Sequence, residues 1–130
     1  MTRSQHALIS IVAILLVGLF ALGPASAQDP TVVNPGTVHA TLDNARVRVL
    51  ESVLKPGQRE KLHSHPACVV YVIEGGKVRS HGADGTSAEI ELAAGTTLYR
   101  EPVAHWTENI GTTTIRLVIV ELKNRPGEQQ

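Results

Sequence analysis

Two histidines one residue apart, His63 and His65, stand at the entrance of an apolar, β-branched run that closes on Gly75 and Gly76. In an extended segment side chains repeat every second residue, so both imidazoles fall on one face. That is a metal-ligand arrangement, and it calls for a third donor from elsewhere. The obvious supplier is His105, inside residues 95–109, GTTLYREPVAHWTEN. Neutral imidazoles suit zinc, iron, copper, nickel or manganese, and three of them leave coordination positions for water or a small molecule. His39 and His81 lack such surroundings and read as exposed or structural histidines.

Strands must position these side chains. Residues 38–42 form a short candidate strand, followed by a turn at Asp43-Asn44. Val47, Val49, Glu51 and Val53 then alternate with Arg48, Leu50 and Ser52 until Lys55-Pro56-Gly57 ends the run. Residues 68–73 are apolar throughout, as in a strand covered on both sides. Glu74-Gly75-Gly76 turns that strand into a polar return strand, 77–81. The clearest hairpin follows: Ala83-Asp84-Gly85-Thr86 carries an Asp-Gly pair that tolerates positive φ, and residues 87–92 return with Ala88, Ile90 and Leu92 on one face. Residues 96–99, 104–108 and 113–122 complete the set, and no segment beyond the N-terminal run has a helical period. Eight to ten short strands joined by Gly-rich turns predict an all-β sandwich or small barrel in a single domain.

The front of the chain reads differently. Arg3 and His6 precede a run over residues 7–22 that is apolar apart from Ser10, then Gly23-Pro24 and Ala25-Ser26-Ala27. This is the pattern of a secretory signal peptide, residues 1–27, cleaved after Ala27 and directing a bacterial protein to the periplasm or exterior. Residues 28–36, with two prolines, read as an N-terminal leader able to lie along a sheet edge. Residues 37–123 hold the strands, and 124–130 form a loose tail. In the whole chain 12 basic residues balance 12 acidic ones, with one tryptophan and two tyrosines. Without a basic run or stacking aromatics, no nucleic-acid partner is expected, and after cleavage no membrane contact. A single cysteine, Cys68, rules out an intramolecular disulfide, so a bound metal is the available source of extra stability.

These residues resemble the cupin superfamily, small barrels of the double-stranded β-helix, or jelly-roll, type. That family's first motif is a glycine, five residues, His-x-His, then a glutamate and a glycine. Gly57, His63, His65 and Gly75 fit it. Its second motif runs from a glycine through a proline-containing loop to a histidine and, four residues on, an asparagine, as do Gly95, Pro102, His105 and Asn109. The chain departs from the pattern twice. Cys68 stands where the glutamate ligand is usual, or Val69 if the count starts from Gly76, and Arg100 and Pro102 replace the usual proline and glycine before His105.

The resemblance implies that His63, His65 and His105 hold one divalent transition metal on the inner wall of the barrel. Cys68 is either a fourth, thiolate ligand or a small buried hydrophobe. Val70 and Val72 beside it, and Thr107 and Asn109 in register with His105, are expected to line the pocket, with Tyr99, Arg100 and Glu101 near its mouth. Arg100 could hold a carboxylate or phosphate. Asn109 is expected to brace the turn before Gly111, and Trp106 to pack on the opposite face from His105. The leading functional expectation is an exported metalloenzyme, dioxygenase-like, acting on a small oxygenated molecule. The alternatives are a non-catalytic metal or small-ligand binding module, favoured by the lack of a recognisable acid or base on the inner strands, and a metal-free scaffold that forms a homodimer.

Overall fold

The computed structural model describes residues 28–124, so the signal segment expected at 1–27 and the last six residues lie outside the described part. Nine strands follow one short helix: α1 (Pro30–Val33), β1 (Val38–Asp43), β2 (Val47–Leu54), β3 (His63–His65), β4 (Cys68–Glu74), β5 (Gly76–Gly82), β6 (Ser87–Leu92), β7 (Thr97–Arg100), β8 (Val103–Asn109) and β9 (Ile115–Leu122). They form two antiparallel sheets, β1-β2-β9-β4-β7 and β3-β8-β5-β6. The all-β architecture predicted from the strand spacing is the one observed.

Sequence alternation decides which side of each strand is covered. Arg48, Leu50, Ser52 and Leu54 of β2 pair with Glu121, Ile119, Leu117 and Ile115 of β9. Cys68, Val70 and Val72 of β4 pair with Glu121, Ile119 and Leu117 from the other side. Directly opposed residues share a face, and here that face is the interior. Val38, Leu50, Cys68, Val70 and Ile119 form its packed centre. β4 was expected to be covered on both sides, but Tyr71 and Ile73 are exposed, because among the described residues no second layer lies over the outer face of the five-stranded sheet. Leu42, Val49, Val120, Val69 and Tyr99 make one apolar row across all five strands of that face.

The expected return strand after Glu74 does not pair with β4. The chain instead crosses from one sheet to the other at Gly75, where a Cβ would lie 2.1 Å from the carbonyl oxygen of Leu92, so only glycine fits the crossing. The Asp84-Gly85 hairpin forms as predicted, with Gly85 at φ 86° and β5 and β6 in register from Gly76↔Leu92 to His81↔Ser87.

The N-terminal segment is more structured than its composition indicates. Asp29 caps α1 by accepting a bond from the Thr31 amide, with Pro30 in the first turn. Gln28 bridges β3 in parallel next to His63, and Asn34 is buried against the same histidine. No helix among the described residues is long and apolar enough to cross a membrane.

Candidate metal centre

The three histidines meet because of strand register. His63 and His105 are direct partners across β3 and β8, and His65 lies two residues along β3 on the same face. All three are buried, their ring centroids are 4.7–5.5 Å apart, and one ligand nitrogen of each lies within 4.8 Å of the others.

Hydrogen bonding at Nδ1 leaves Nε2 as the nitrogen that each ring can present. His63 Nδ1 has two neighbours, the carbonyl oxygen of Lys61 at 2.7 Å, which can only accept, and Asn34 Nδ2 at 3.1 Å, which can only donate; the shorter contact places the proton on Nδ1 and leaves Nε2 bare. His65 Nδ1 donates to Glu121 Oε1 at 2.6 Å, which likewise frees Nε2. Ser80 Oγ, 3.3 Å from His105 Nδ1, can accept from that ring in the same way. Fastening one ring nitrogen and leaving the other open is what metal-binding histidines require. Burial is the main reason that His63 is pushed down to about 4 and His105 to about 3, with neighbouring imidazoles and Arg100 adding to the effect. Both rings are therefore neutral at pH 7, as ligands must be. The donor set fits a transition metal.

Glu121 is held in turn. Arg48 Nε donates to its Oε2 at 2.6 Å, and Arg48 Nη1 donates to Asp29. Burial pushes the Glu121 carboxyl up, but the bonds from His65 and Arg48 outweigh it and keep the group below the usual value. A chain of contacts thus runs Asp29, Arg48, Glu121, His65.

A cavity of about 280 Å³ opens beside the histidines, lined largely by apolar side chains. Val70, Arg100 and Thr107, named from the sequence, lie on its wall, and so does Cys68; Tyr99 borders the cavity at its rim, with its side chain on the outer face and 59% exposed. Val72 does not line the cavity. It is fully buried, whereas a side chain on a cavity wall keeps some accessible surface. Asn109, also expected on the wall, is turned into structure: its Nδ2 donates to the carbonyl oxygens of Leu54 and Thr113, and its Oδ1 accepts from the Gly111 amide. This is the turn-bracing role read from the sequence. Glu101 is exposed. Trp106 lies outside, stacked on His81 at 3.6 Å with Arg59 over its ring.

Cys68 falls on the side of a core residue. It is packed among Val38, Leu50, Val70 and Ile119, burial pushes its thiol up, and among the described residues the group of converging donors contains the three histidines alone.

Two carboxyl groups escaped the sequence reading. Glu121 occupies the inward slot that follows Ile115, Leu117 and Ile119 at period two, and a charge in such a slot is itself a signal of a buried partner. Glu60 is 8% exposed and lines the cavity, with its Oε2 3.9 Å from His63 Nε2. Backbone pairing of residues 57–60 with β8, including the Glu60 amide to the Thr107 carbonyl, carries it there. Burial raises its carboxyl to about 7 against a smaller opposing bond from Ser52. The inner wall therefore does carry a titratable acid, which removes the reason for preferring a purely binding role.

No family model and no curated protein matches this sequence. Solved structures do. A cupin domain from Bordetella pertussis Tohama I aligns with a TM-score of 0.62 and 29% identity over 67% of this chain and 92% of that one. An RmlC-like cupin family protein with a double-stranded β-helix fold from Methanocaldococcus jannaschii gives a TM-score of 0.54 and 17% identity over 65% and 77%. A cupin superfamily protein from Desulfitobacterium hafniense gives 0.51 and 12% over 67% and 76%. The last two likenesses speak for the fold alone. With its two facing sheets and inward histidines, this chain has the double-stranded β-helix fold of the cupin superfamily.

Proposed function

We propose that this chain is an exported, mononuclear metal-binding cupin that acts on a small oxygenated molecule in its barrel cavity, with dioxygenase-like chemistry as the reaction class. The observation that carries the reading is the convergence of three buried imidazoles, each with Nδ1 bonded or bondable elsewhere, on the wall of that cavity. A divalent metal held by His63, His65 and His105 would supply Lewis-acid polarisation of a bound oxygen atom or, if redox-active, electron transfer.

The chain's own groups do the rest. The Lys61 carbonyl, Glu121 and Ser80 hold the rings in orientation, and the largely apolar wall offers a surface for the body of a small molecule. Glu60 can hold or release a proton at its buried carboxyl, within reach of a ligand in the same cavity. General acid-base work needs such a group, and its presence supports turnover over storage. The apolar row on the outer sheet face supports self-association as a homodimer, and the N-terminal sequence supports export.

Elemental analysis of protein purified without chelator tests the reading, using wild type and a His63→Ala, His65→Ala variant expressed with export intact. About one metal per chain, lost in the variant, is expected, and intact mass reads whether cleavage follows Ala27. A folded, metal-free wild type that takes up no added divalent metal would overturn the proposal.

A further inference from the structure

Two arginines face the interior, and they are treated differently. They lie on one cross-strand row, Arg48, Glu121, Cys68 and Arg100, over β2, β9, β4 and β7. Arg48, at one end, is neutralised by both Asp29 and Glu121. Arg100, at the other end, shares the inward face of its partner Cys68 and lines the cavity. Among the described residues it has no ion pair and no side-chain hydrogen bond. The acids nearby face other groups: Glu121 is bonded to Arg48 and His65, and Glu60 lies 3.9 Å from His63 Nε2.

A half-buried guanidinium without a counter-ion at the edge of an apolar wall is open to an anionic partner, and its planar fork matches a carboxylate through two parallel bonds. We propose that the cavity binds a small organic carboxylate, with the carboxylate on Arg100 and the apolar body against Val70, Leu98 and Ile119. The ligand then lies in the same cavity as the three histidines. Phosphate is a poorer match, because Arg100 is the one arginine or lysine among the described lining residues and a dianion needs more positive charge. The inference rests on the metal-site reading for its catalytic meaning, but carboxylate recognition can be measured separately.

The test is calorimetric titration of the full chain with benzoate and hexanoate, with their uncharged isosteres benzamide and hexanamide, and with inorganic phosphate. Wild type, Arg100→Met and Arg100→Lys are compared, with metal content and circular dichroism recorded for each. Wild type is expected to prefer each carboxylate over its amide by about tenfold or more, from the strength of charge-assisted bonds. Arg100→Met should bring the two to parity while amide binding moves less than twofold, and Arg100→Lys should fall between. No carboxylate preference in wild type, a preference that survives in Arg100→Met, or phosphate binding tighter than benzoate would overturn the inference. Should Arg100→Met fail to fold, the wild-type acid-amide comparison and Arg100→Lys still decide it. Metal binding without carboxylate preference refutes this inference alone, whereas carboxylate preference in a chain that takes up no metal refutes the metal-site reading alone.

Discussion

Glu121→Gln probes how the centre is held without touching a ligand. The carboxylate accepts two short bonds, from His65 Nδ1 and Arg48 Nε, both at 2.6 Å, and its side chain is 3% exposed. Glutamine preserves the shape but has one acceptor oxygen, so its amide NH₂ must face one of the two donors. Losing one partner of a buried pair costs about 3–5 kcal/mol. Arg48 keeps Asp29 here, which brings the expected loss in the metal-free protein to about 2–3 kcal/mol. His65 meanwhile loses the carboxylate that fixes its tautomer and raises its basicity, a change that weakens metal affinity by about 10–100-fold. Urea unfolding of the metal-free form and competition with a chelating dye read the two effects. The sign with pH follows from the lowered native value. Glu121 contributes stability above its unfolded value of 4.5, so the gap between wild type and variant is full there and closes as pH falls through the native value. A folded Glu121→Gln protein with metal affinity within threefold of wild type would refute the argument that this carboxylate orients the ligand.

Other perturbations separate the remaining groups. Metal-free wild type should lose stability as pH falls from 6.5 toward 4 and 3, because the unfolded chain takes up protons that buried His63 and His105 refuse. Glu60 acts in the opposite direction: its native value near 7 against 4.5 destabilises the fold as pH rises between them, so Glu60→Gln should stabilise the metal-free protein at pH 8 by on the order of 3 kcal/mol and not at pH 4, as read by unfolding at both pH values. Cys68→Ser should lower stability by about 1–2 kcal/mol through a buried hydroxyl while leaving metal stoichiometry and affinity unchanged; a tenfold loss of affinity would restore the thiolate as a ligand. Val120→Lys, in the middle of the outer apolar row, should shift sedimentation toward the monomer, and a monomeric wild type would remove the homodimer.

Much of this was legible because strands announce themselves at period two. The His-x-His spacing put two imidazoles on one face, and the glycine and proline turns marked nearly every strand. What escaped depended on contacts between distant segments. Pro30 to Val33 offers no period in four residues, and its helix is marked only by the Asp29 cap and a proline in the first turn. Glu121 sat in a strand read for its β-branched residues, where its inward slot mattered more than its neighbours. Glu60 precedes the histidines in a stretch with no alternation, and only backbone pairing with β8 brings it inside. The expected coverage of β4 failed because an apolar run cannot say whether a second layer exists on its outer side.

The chain of contacts behind His65 has a consequence for when a metal is captured. Its links join residues 19, 73 and 56 positions apart, so nothing short of the closed barrel contains them. Contacts that distant form slowly, since loop closure must come before they can reward it. A nascent chain therefore offers the loose affinity of free imidazoles, and the fastened set exists only once the two sheets have met. Three imidazoles alone follow the general order of metal affinities, which ranks copper above manganese and iron. Which ion the three histidines would hold is then decided by the pool of metals in the compartment where folding finishes. On the proposed function, the place of folding would then determine the bound metal, and refolding the same chain in different metal buffers should yield proteins that differ in their metal and not in their fold.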